Sequence, residues 1–292
     1  MIADRAGPAV ARERATRHAV AAATGVAREH GLPVDDPVVL HDLFSVRVHL
    51  RPAPVVARVP TAITELIADP GGLARELAVA EFLDRDGAPV VPPSPELPAG
   101  PHHRDGFAIS YWTYTPTDPD RPAATAADCA AMLPDLHAAL RRYPGDLPPL
   151  GTVALDLSGW LARLDAGPDP VGEAERARLH AAADRLRPLL DPAADDRPLH
   201  GDAHPGNLIA GCRGLVWNDL EEVCRGPLEW DLAAVGDVDA VRAVPHDPDR
   251  LAACGQLRTL QVVLVLILLR PGFGDLPGWD DGIRAMLAGL ED

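Results

Sequence analysis

The chain has 292 residues, of which 47% are hydrophobic, and it carries a formal net charge of −16. This length exceeds that of most single-core domains, so we expect either one large core or two modest cores joined in one compact body. The negative charge argues against a protein that binds the backbone of nucleic acid, because such binding depends on clustered cations. All 27 basic residues are arginine, so any permanent cation that binds an anion must be a guanidinium.

Cysteine usage and apolar runs indicate a reduced compartment and no membrane span. The four cysteines, Cys129, Cys212, Cys224 and Cys254, form no CxxC pair and show none of the spacings typical of zinc sites. The apolar run Val262–Leu269 has only eight residues, against ~20 for a bilayer crossing, and it favours a buried helix. We therefore expect a cytoplasmic protein without a membrane partner, either a monomer or a homodimer.

Residues 1–115 predict a small antiparallel sheet accompanied by helices. Proline-free, alanine-rich sequence predicts the first helix, and in the strand over Ser45–Leu50 valine and leucine alternate with arginine and histidine. The predicted elements are a helix at Ala9–Glu29, strands at Val38–Leu40, Ser45–Leu50 and Pro54–Val59, a helix at Gly71–Leu83 and a strand at Gly106–Tyr114.

Residues 116–292 predict a larger lobe that is mainly helical. A pair of short strands over Leu208–Leu220 interrupts the helices, because Gly211 and Gly214 mark a turn between apolar runs. The predicted helices are Ala126–Arg142, Leu155–Leu164, Glu173–Leu190, Trp230–Val241, Leu251–Leu269 and Gly282–Leu290. The fold class is therefore α+β, with two lobes that meet near residues 115 and 116.

A short motif near residue 200 carries the side chains needed for phosphoryl transfer. Residues 199–207 are LHGDAHPGN, which contains H-G-D-x-x-x-x-N, and VWND follows, ending at Asp219. This is the spacing of a protein-kinase catalytic loop, in which the Asp meets the acceptor hydroxyl and the Asn holds magnesium. Asn207 and Asp219 supply the oxygen donors that magnesium prefers, and Asp202 is left to act as the base.

The segment from His200 to Asp231, which includes RGP at 225–227 and EWDL at 229–232, resembles the aminoglycoside phosphotransferase and choline kinase family. The resemblance implies a two-lobed protein-kinase-like fold, with Asp202 as the catalytic base. It also implies that Asn207 and Asp219 bind the metal and that Asp231 supports the catalytic loop from a buried position. Mg²⁺ as cofactor, ATP or GTP as co-substrate and a hydroxylated small molecule as partner follow from the same resemblance.

The N-terminal part shows a looser resemblance to the nucleotide-binding lobe of that family. The segment VVAR ends at Arg58, where the family has the Lys or Arg that contacts the α- and β-phosphates, and Glu76 would be its ion-pair partner. Trp112 and Tyr114 would belong to the hinge that holds the nucleotide base. The phosphate-covering loop departs from the pattern, because residues 41–45, HDLFS, contain no glycine to let backbone amides approach phosphate.

Three functions are compatible with these patterns. The first is a kinase for a small hydroxylated molecule, and the acidic balance would suit a cationic aminoglycoside-like or amino-alcohol acceptor. The second is a kinase-like protein that binds a nucleotide or metabolite without transferring phosphate. The third is a metal-dependent hydrolase that uses His200, Asp202 and His204, for which His-x-Asp-x-His is a weak signal. Glu221 and Glu222 are either contacts for a cationic substrate or a solvated acidic pair.

Overall fold

An antiparallel sheet forms the N-terminal part of the protein, and helices dominate the rest. The structure is a computed structural model and describes residues 7–62, 66, 69, 71–118, 120–167, 171–273 and 277–290. Its strands are β1 (Val34–Asp42), β2 (Ser45–Pro52), β3 (Val55–Pro60), β4 (His102–Arg104), β5 (Phe107–Thr113), β6 (Arg197–Leu199), β7 (Leu208–Gly211), β8 (Gly214–Trp217) and β9 (Cys224–Gly226). Its helices are α1 (Pro8–Glu29), α2 (Gly72–Arg85), α3 (Ala126–Leu140), α4 (Gly151–Ala166), α5 (Glu173–Leu186), α6 (Leu228–Val235), α7 (Val238–Val241), α8 (Pro248–Phe273) and α9 (Trp279–Gly289). The predicted α+β class is confirmed, whereas the boundary near residues 115 and 116 stays a prediction.

The sheet has the strand order β1-β2-β3-β5-β4, and its two faces differ in chemistry. On one face Val46, Val48 and Leu50 are completely buried and pack in one cluster with the alanines of α1. Small side chains let the helix approach the sheet closely, which explains the alanine-rich N-terminus. Because strand residues alternate between faces, Arg47 lies on the other face, where it pairs directly with Arg58 of β3.

Helix α8 is the centre of the helical part. It packs against α4, α5, α6 and α9, and its residues Leu257, Leu260 and Leu264 join a core with Trp160 and Trp230. In length and apolar composition this 26-residue helix would be capable of crossing a membrane, but these contacts place it inside the protein, as the sequence predicted. The four cysteines are free thiols, three of them buried.

The helix predicted over Trp230–Val241 is wrong, because two helices occupy this range. Gly236 adopts a left-handed backbone conformation with φ of 76°, which ends α6. The Asp237 side chain then accepts hydrogen bonds from the backbone N–H groups of Asp239, at 2.9 Å, and Ala240, at 3.3 Å, and so caps α7. The predicted helix over Glu173–Leu190 likewise ends early, at Leu186, and continues as a 3₁₀ turn.

Two short strand pairs frame the segment around residue 202. Strands β7 and β8 form the predicted hairpin around Gly211 and Gly214. Strands β6 and β9 also pair antiparallel, which the sequence did not predict because each has only three residues. The loops at 200–207 and 218–223 connect these pairs and therefore lie side by side.

The turn between β1 and β2 contacts the C-terminal helices. Leu43 and Phe44 pack in an apolar cluster with Leu269, Phe273 and Trp279. The ring centroids of Phe44 and Phe273 are 6.2 Å apart in an edge-to-face arrangement, and Phe273 stacks on Trp279 at 5.2 Å. This turn, where a phosphate-covering loop was expected, therefore joins the sheet to α8 and α9.

Candidate active site

A buried carboxylate fixes the loop between β6 and β7. Asp231 accepts hydrogen bonds from the backbone N–H groups of His200 and Gly201, both at 2.9 Å, and His137 Nε2 lies 2.8 Å from its Oδ2. Burial alone would raise the pKa of Asp231, but the hydrogen bond and charge of His137 outweigh it and lower that pKa. The carboxylate therefore stays ionised and orders the loop that carries Asp202.

The glycine of the His-Gly-Asp motif is required by a close contact between two loops. Gly201 has a φ of 89°, and a Cβ added there would lie only 1.8 Å from the carbonyl oxygen of Glu222. Neither the backbone conformation nor the available space admits another residue. The absence of a side chain at Gly201 thus sets the distance between the loop of Asp202 and the loop of Asp219.

Asp202 is held by three side chains and still reaches solvent. Its Oδ1 lies 3.2 Å from Arg258 Nη1, and its Oδ2 accepts from Asn207 Nδ2 at 3.1 Å and lies 3.3 Å from His204 Nε2. About 36% of its side chain is exposed. Burial would raise the pKa of Asp202, but the hydrogen bond with His204 and the charge of Arg258 overcome this and bring that pKa well below its usual range. Asp202 is therefore an oriented, ionised carboxylate that faces open space.

Arg258, on α8, is a site residue that the sequence prediction missed. Its guanidinium lies 4.3 Å from the centroid of the Trp230 ring, its Nε donates to the Trp230 carbonyl oxygen at 3.0 Å, and its Nη2 donates to the Gly201 carbonyl oxygen. These contacts fix the charge beside Asp202. The sequence did contain a signal, since Arg258 is the only charged residue in the predicted helix Leu251–Leu269.

Asn207 and Asp219 are brought together by the β7–β8 hairpin. The backbone N–H of Asn218 donates to the Asn207 carbonyl oxygen at 2.9 Å, so Asp219 follows next to Asn207. The Asn207 side-chain nitrogen donates to the Asp202 carbonyl oxygen at 2.8 Å, which leaves its amide oxygen as the group for a cation. Asp219 Oδ1 is buried and accepts no hydrogen bond among the described residues, although Arg58 Nη2 lies 3.4 Å away. These oxygens fit magnesium, which takes few protein ligands when phosphate and water complete its shell.

The predicted partner of Arg58 is in contact with it. Arg58 Nη1 lies 2.8 Å from Glu76 Oε2, and 6% of Arg58 and 2% of Glu76 is exposed. Glu221 also pairs with Arg58, and about 34% of its side chain is exposed. Burial disfavours the charge of Arg58, but Glu221, Glu76 and Asp219 raise its pKa well above the ordinary value.

A cavity of about 340 Å³ opens between the sheet and the β7–β8 hairpin. This is within the range of small-ligand sites, roughly 300–1,000 Å³. One end is polar and contains Arg47, Arg58, Glu76 and Asp219. The other end is mainly apolar and aromatic and contains Val56, Val91, Trp112, Tyr114 and Ile209.

The two aromatic residues predicted for the hinge line this cavity and are fixed by protein contacts. Trp112 donates its indole N–H to Ser110 Oγ at 2.8 Å, and Tyr114 stacks on His49 with ring centroids 3.7 Å apart. The tyrosine backbone N–H donates to the carbonyl oxygen of Pro54 at 2.8 Å. Five of the seven side chains predicted for the site thus line this cavity, those of Arg58, Glu76, Trp112, Tyr114 and Asp219. Asn207 adjoins it through the hydrogen bond of its carbonyl oxygen with Asn218, and Asn207 in turn contacts Asp202.

His200 does not have the geometry of a metal ligand. Its Nδ1 accepts the backbone N–H of Asp202 at 3.3 Å, and its Nε2 lies 3.2 Å from the Asn218 carbonyl oxygen. The ring is fully buried, and burial lowers its pKa. Both ring nitrogens are therefore used to brace the loops, which removes one ligand from the set that a hydrolase would need.

Solved structures of several small-molecule kinases share this fold. The choline kinase LicA from Streptococcus pneumoniae superposes with a TM-score of 0.61 at 15% identity, covering 90% of this chain and 98% of that one. An amicoumacin kinase in complex with AMP-PNP and Ca²⁺ gives a TM-score of 0.65 at 11% identity, covering 91% and 92%. A microcompartment-associated aminopropanol kinase gives 0.62 at 16% identity, covering 91% and 93%. The protein is therefore of the two-lobed, protein-kinase-like class.

The sequence itself identifies the family within that class. Residues 45–253 match the model of the phosphotransferase enzyme family. This range contains the loop at 200–207 and strands β2 to β9. The chain belongs to this family, as the resemblance of the His200–Asp231 segment indicated. No curated protein matches the sequence.

Proposed function

We propose that the protein is a kinase that transfers the γ-phosphoryl group of ATP or GTP to a hydroxyl group of a small molecule. The observation that carries the proposal is the position of Asp202, an anchored and partly exposed carboxylate next to Asn207. Asp219 and Arg58 line the polar end of the adjoining cavity. Phosphoryl transfer requires mainly positioning and charge neutralisation, and these residue types provide both.

Each residue then has a distinct task. Asp202 orients the acceptor hydroxyl and takes its proton as the hydroxyl oxygen forms a bond to the γ-phosphorus. The bond from that phosphorus to the β–γ bridging oxygen breaks, and the nucleoside diphosphate leaves. Arg58, held by Glu76, contacts the α- and β-phosphates, and Trp112 and Tyr114 hold the base. Asn207 and Asp219 would hold magnesium, which supplies positive charge to the phosphate oxygens when bound.

The acceptor that best suits this protein is an amine-bearing alcohol. A formal charge of −16 favours the encounter with a cation over that with an anion. Choline kinase and aminopropanol kinase, which share the fold, are named for amino alcohols. A cytoplasmic location accompanies the proposal, because nucleoside triphosphates are available there and the four thiols are free.

A nucleotide-consumption screen with magnesium tests the proposal across aminoglycosides, other antibiotics, sugars and amino alcohols. Asp202→Asn is expected to lower kcat by about 10²–10⁴, the usual contribution of a positioned base. Asp135→Asn, at an exposed position on α3, is the matched control and is expected to keep full activity. Acceptor-dependent release of ADP or GDP that survives Asp202→Asn would contradict the assignment of the base.

The second candidate is a kinase-like binding protein, and the glycine-free turn that packs on α8 and α9 favours it. It predicts nucleotide binding with no turnover on the whole acceptor panel. Turnover that depends on one added acceptor would exclude it, because a binding protein releases no nucleoside diphosphate.

A further inference from the structure

A histidine and two arginines form a row across the sheet at the polar end of the cavity. The strand register pairs His41 with Arg47 and Arg47 with Arg58. Directly paired residues of antiparallel strands project from the same face, so the row lies on the face opposite Val46 and Val48. All three side chains line the cavity, so this face contributes the guanidinium groups of Arg47 and Arg58 to its wall.

The turn beside this row is used for another contact. Phosphate loops bind through backbone amides that glycine allows to approach closely. Here the partly buried side chains of Leu43 and Phe44 pack against Leu269, Phe273 and Trp279 instead. A triphosphate in this cavity therefore needs another source of positive charge near its terminal phosphates.

Arg47 and Arg58 differ in how firmly they are held. Three carboxylates surround Arg58, those of Glu76, Asp219 and Glu221, and only 8% of its side chain is exposed. The side chain of Arg47 is 28% exposed, and within the described part of the chain its ion-pair partner is Asp219, with Nη2 2.5 Å from Oδ2. Its Nε is buried and donates no hydrogen bond to any described residue.

The partner of Arg47 is the residue that the proposed function assigns to the metal. A magnesium ion held by Asp219 would neutralise this carboxylate and would leave the Arg47 guanidinium free to bind phosphate in the same cavity. A guanidinium binds phosphate through charge-assisted hydrogen bonds, which are stronger than bonds between neutral groups.

We infer that Arg47 binds the β- and γ-phosphates of the nucleoside triphosphate and takes the place of the missing glycine-rich loop. This inference rests on the proposed function. In the free protein Arg47 neutralises Asp219, and in the loaded protein it exchanges that carboxylate for phosphate. Arg58 stays with Glu76 in both states.

Calorimetric titration tests this with AMP, ADP and a non-hydrolysable ATP analogue in the presence of magnesium. Arg47→Gln is expected to weaken binding of the ATP analogue by about ten- to a hundredfold, the range expected for one charged hydrogen-bonding group. Binding of ADP should weaken less, and binding of AMP should stay within about twofold, because AMP does not reach the residue. Arg51→Gln is the matched control, since Arg51 is on the same strand and pairs with Asp36 at the surface; it should leave all three affinities unchanged.

A second titration, with Mn²⁺ and no nucleotide, provides a readout that turnover does not affect. Arg47→Gln should bind Mn²⁺ more tightly than the unmodified protein, because no guanidinium then competes for Asp219. Arg47→Lys retains a cation and should bind the ATP analogue with intermediate affinity, which separates loss of charge from loss of fold.

The outcomes distinguish this inference from the proposed function. Equal weakening of AMP and of the ATP analogue by Arg47→Gln would make Arg47 a structural residue and overturn the inference. Unchanged affinity for the ATP analogue would overturn it as well, and in both cases the kinase proposal survives. A failure of the unmodified protein to bind any nucleotide would remove both proposals.

Discussion

Arg258, from a helix far along the chain, adds to the effect of His204 in lowering the pKa of Asp202. Its guanidinium is fixed by the Trp230 ring and two carbonyl oxygens, so it has little freedom to leave the carboxylate. A fixed positive charge at this distance favours the ionised form, which is the form that accepts a proton. These contacts offset the desolvation cost of burying an arginine in an apolar helix, and they also hold the guanidinium beside Asp202.

Arg258→Gln is expected to shift the acid limb of the pH profile of kcat/KM to higher pH. Arg258 lowers the pKa of Asp202, so its removal raises that pKa, and a base that must be ionised then loses activity at a higher pH. We expect kcat to fall by about tenfold or more, with the KM for the nucleotide nearly unchanged. The measurement is the pH dependence of turnover for both proteins.

Arg270→Gln is the control, because Arg270 is on the same helix and pairs with Asp280 at the surface. It should leave the pH profile in place. An identical acid limb in Arg258→Gln and the unmodified protein would show that Arg258 does not tune the base.

At the scale of elements, the loops at 200–207 and 218–223 depend on a single glycine. Gly201→Ala would force a Cβ into the Glu222 carbonyl oxygen, and its φ of 89° already disfavours any side chain. We expect a loss of more than about 3 kcal/mol in the free energy of unfolding, because the backbone must move. Urea titration followed by circular dichroism measures it.

Gly214→Ala separates the steric clash of an added Cβ from the backbone strain of a positive φ. Gly214 also has a positive φ, of 135°, but nothing lies within 4 Å of an added Cβ. Only backbone strain is then incurred, about 1–3 kcal/mol. Equal losses at the two positions would contradict the role of the close contact between the loops.

Whether a site residue could be predicted depended on how far it lies in the sequence from the residues that it contacts. Asp202 and Asn207 lie within one motif and Asp219 follows shortly after it, so local spacing was enough to predict them as candidate site residues. Arg47 and Arg258 enter the site only through the register of β2 with β3 and the packing of α8, which are set by long-range contacts. Local patterns report hydrophobic period and turn residues, so they predicted most elements but not that Arg47 would pair with Asp219 or Arg258 with Asp202.

The restriction to local patterns also explains the secondary-structure elements that were missed or wrongly predicted. Strands β6 and β9 have only three residues each and are held by pairing with one another, so neither shows a period of its own. The break between α6 and α7 depends on a single left-handed glycine, Gly236, in an otherwise helical pattern. An isolated glycine in a sequence is compatible with a continuous helix, so the sequence pattern alone does not show that the helix ends at Gly236.

For the whole molecule, the buried His200 links folding to pH. Burial lowers its pKa from 6.5 in the folded state, whereas the unfolded chain restores the ordinary value. Between these two pKa values the unfolded state binds more protons than the folded state. The contribution of the neutral His200 to stability is therefore complete above about pH 6.5 and declines as the pH falls through that value. His200 should therefore contribute a decrease in the free energy of unfolding between pH 7 and pH 5.

His200→Asn is expected to reduce this slope, because asparagine does not titrate. Chemical unfolding at a series of pH values measures it, and His18→Asn, at an exposed position on α1, should keep the slope of the unmodified protein. His204, whose pKa Asp202 raises, acts in the opposite direction but is common to all three proteins. Parallel curves for His200→Asn and the unmodified protein would refute the assignment.

The presence of a guanidinium rather than an amine at residue 58 limits which reagents can modify this cleft covalently. A lysine as deeply buried could lose its proton and become a nucleophile, whereas an arginine stays charged throughout the accessible pH range. Reagents that acylate the nucleotide-site amine of an enzyme would find no target there, and lysine acetylation has no means of silencing this cation. Inhibitors for this cleft must therefore bind reversibly or react with a different functional group.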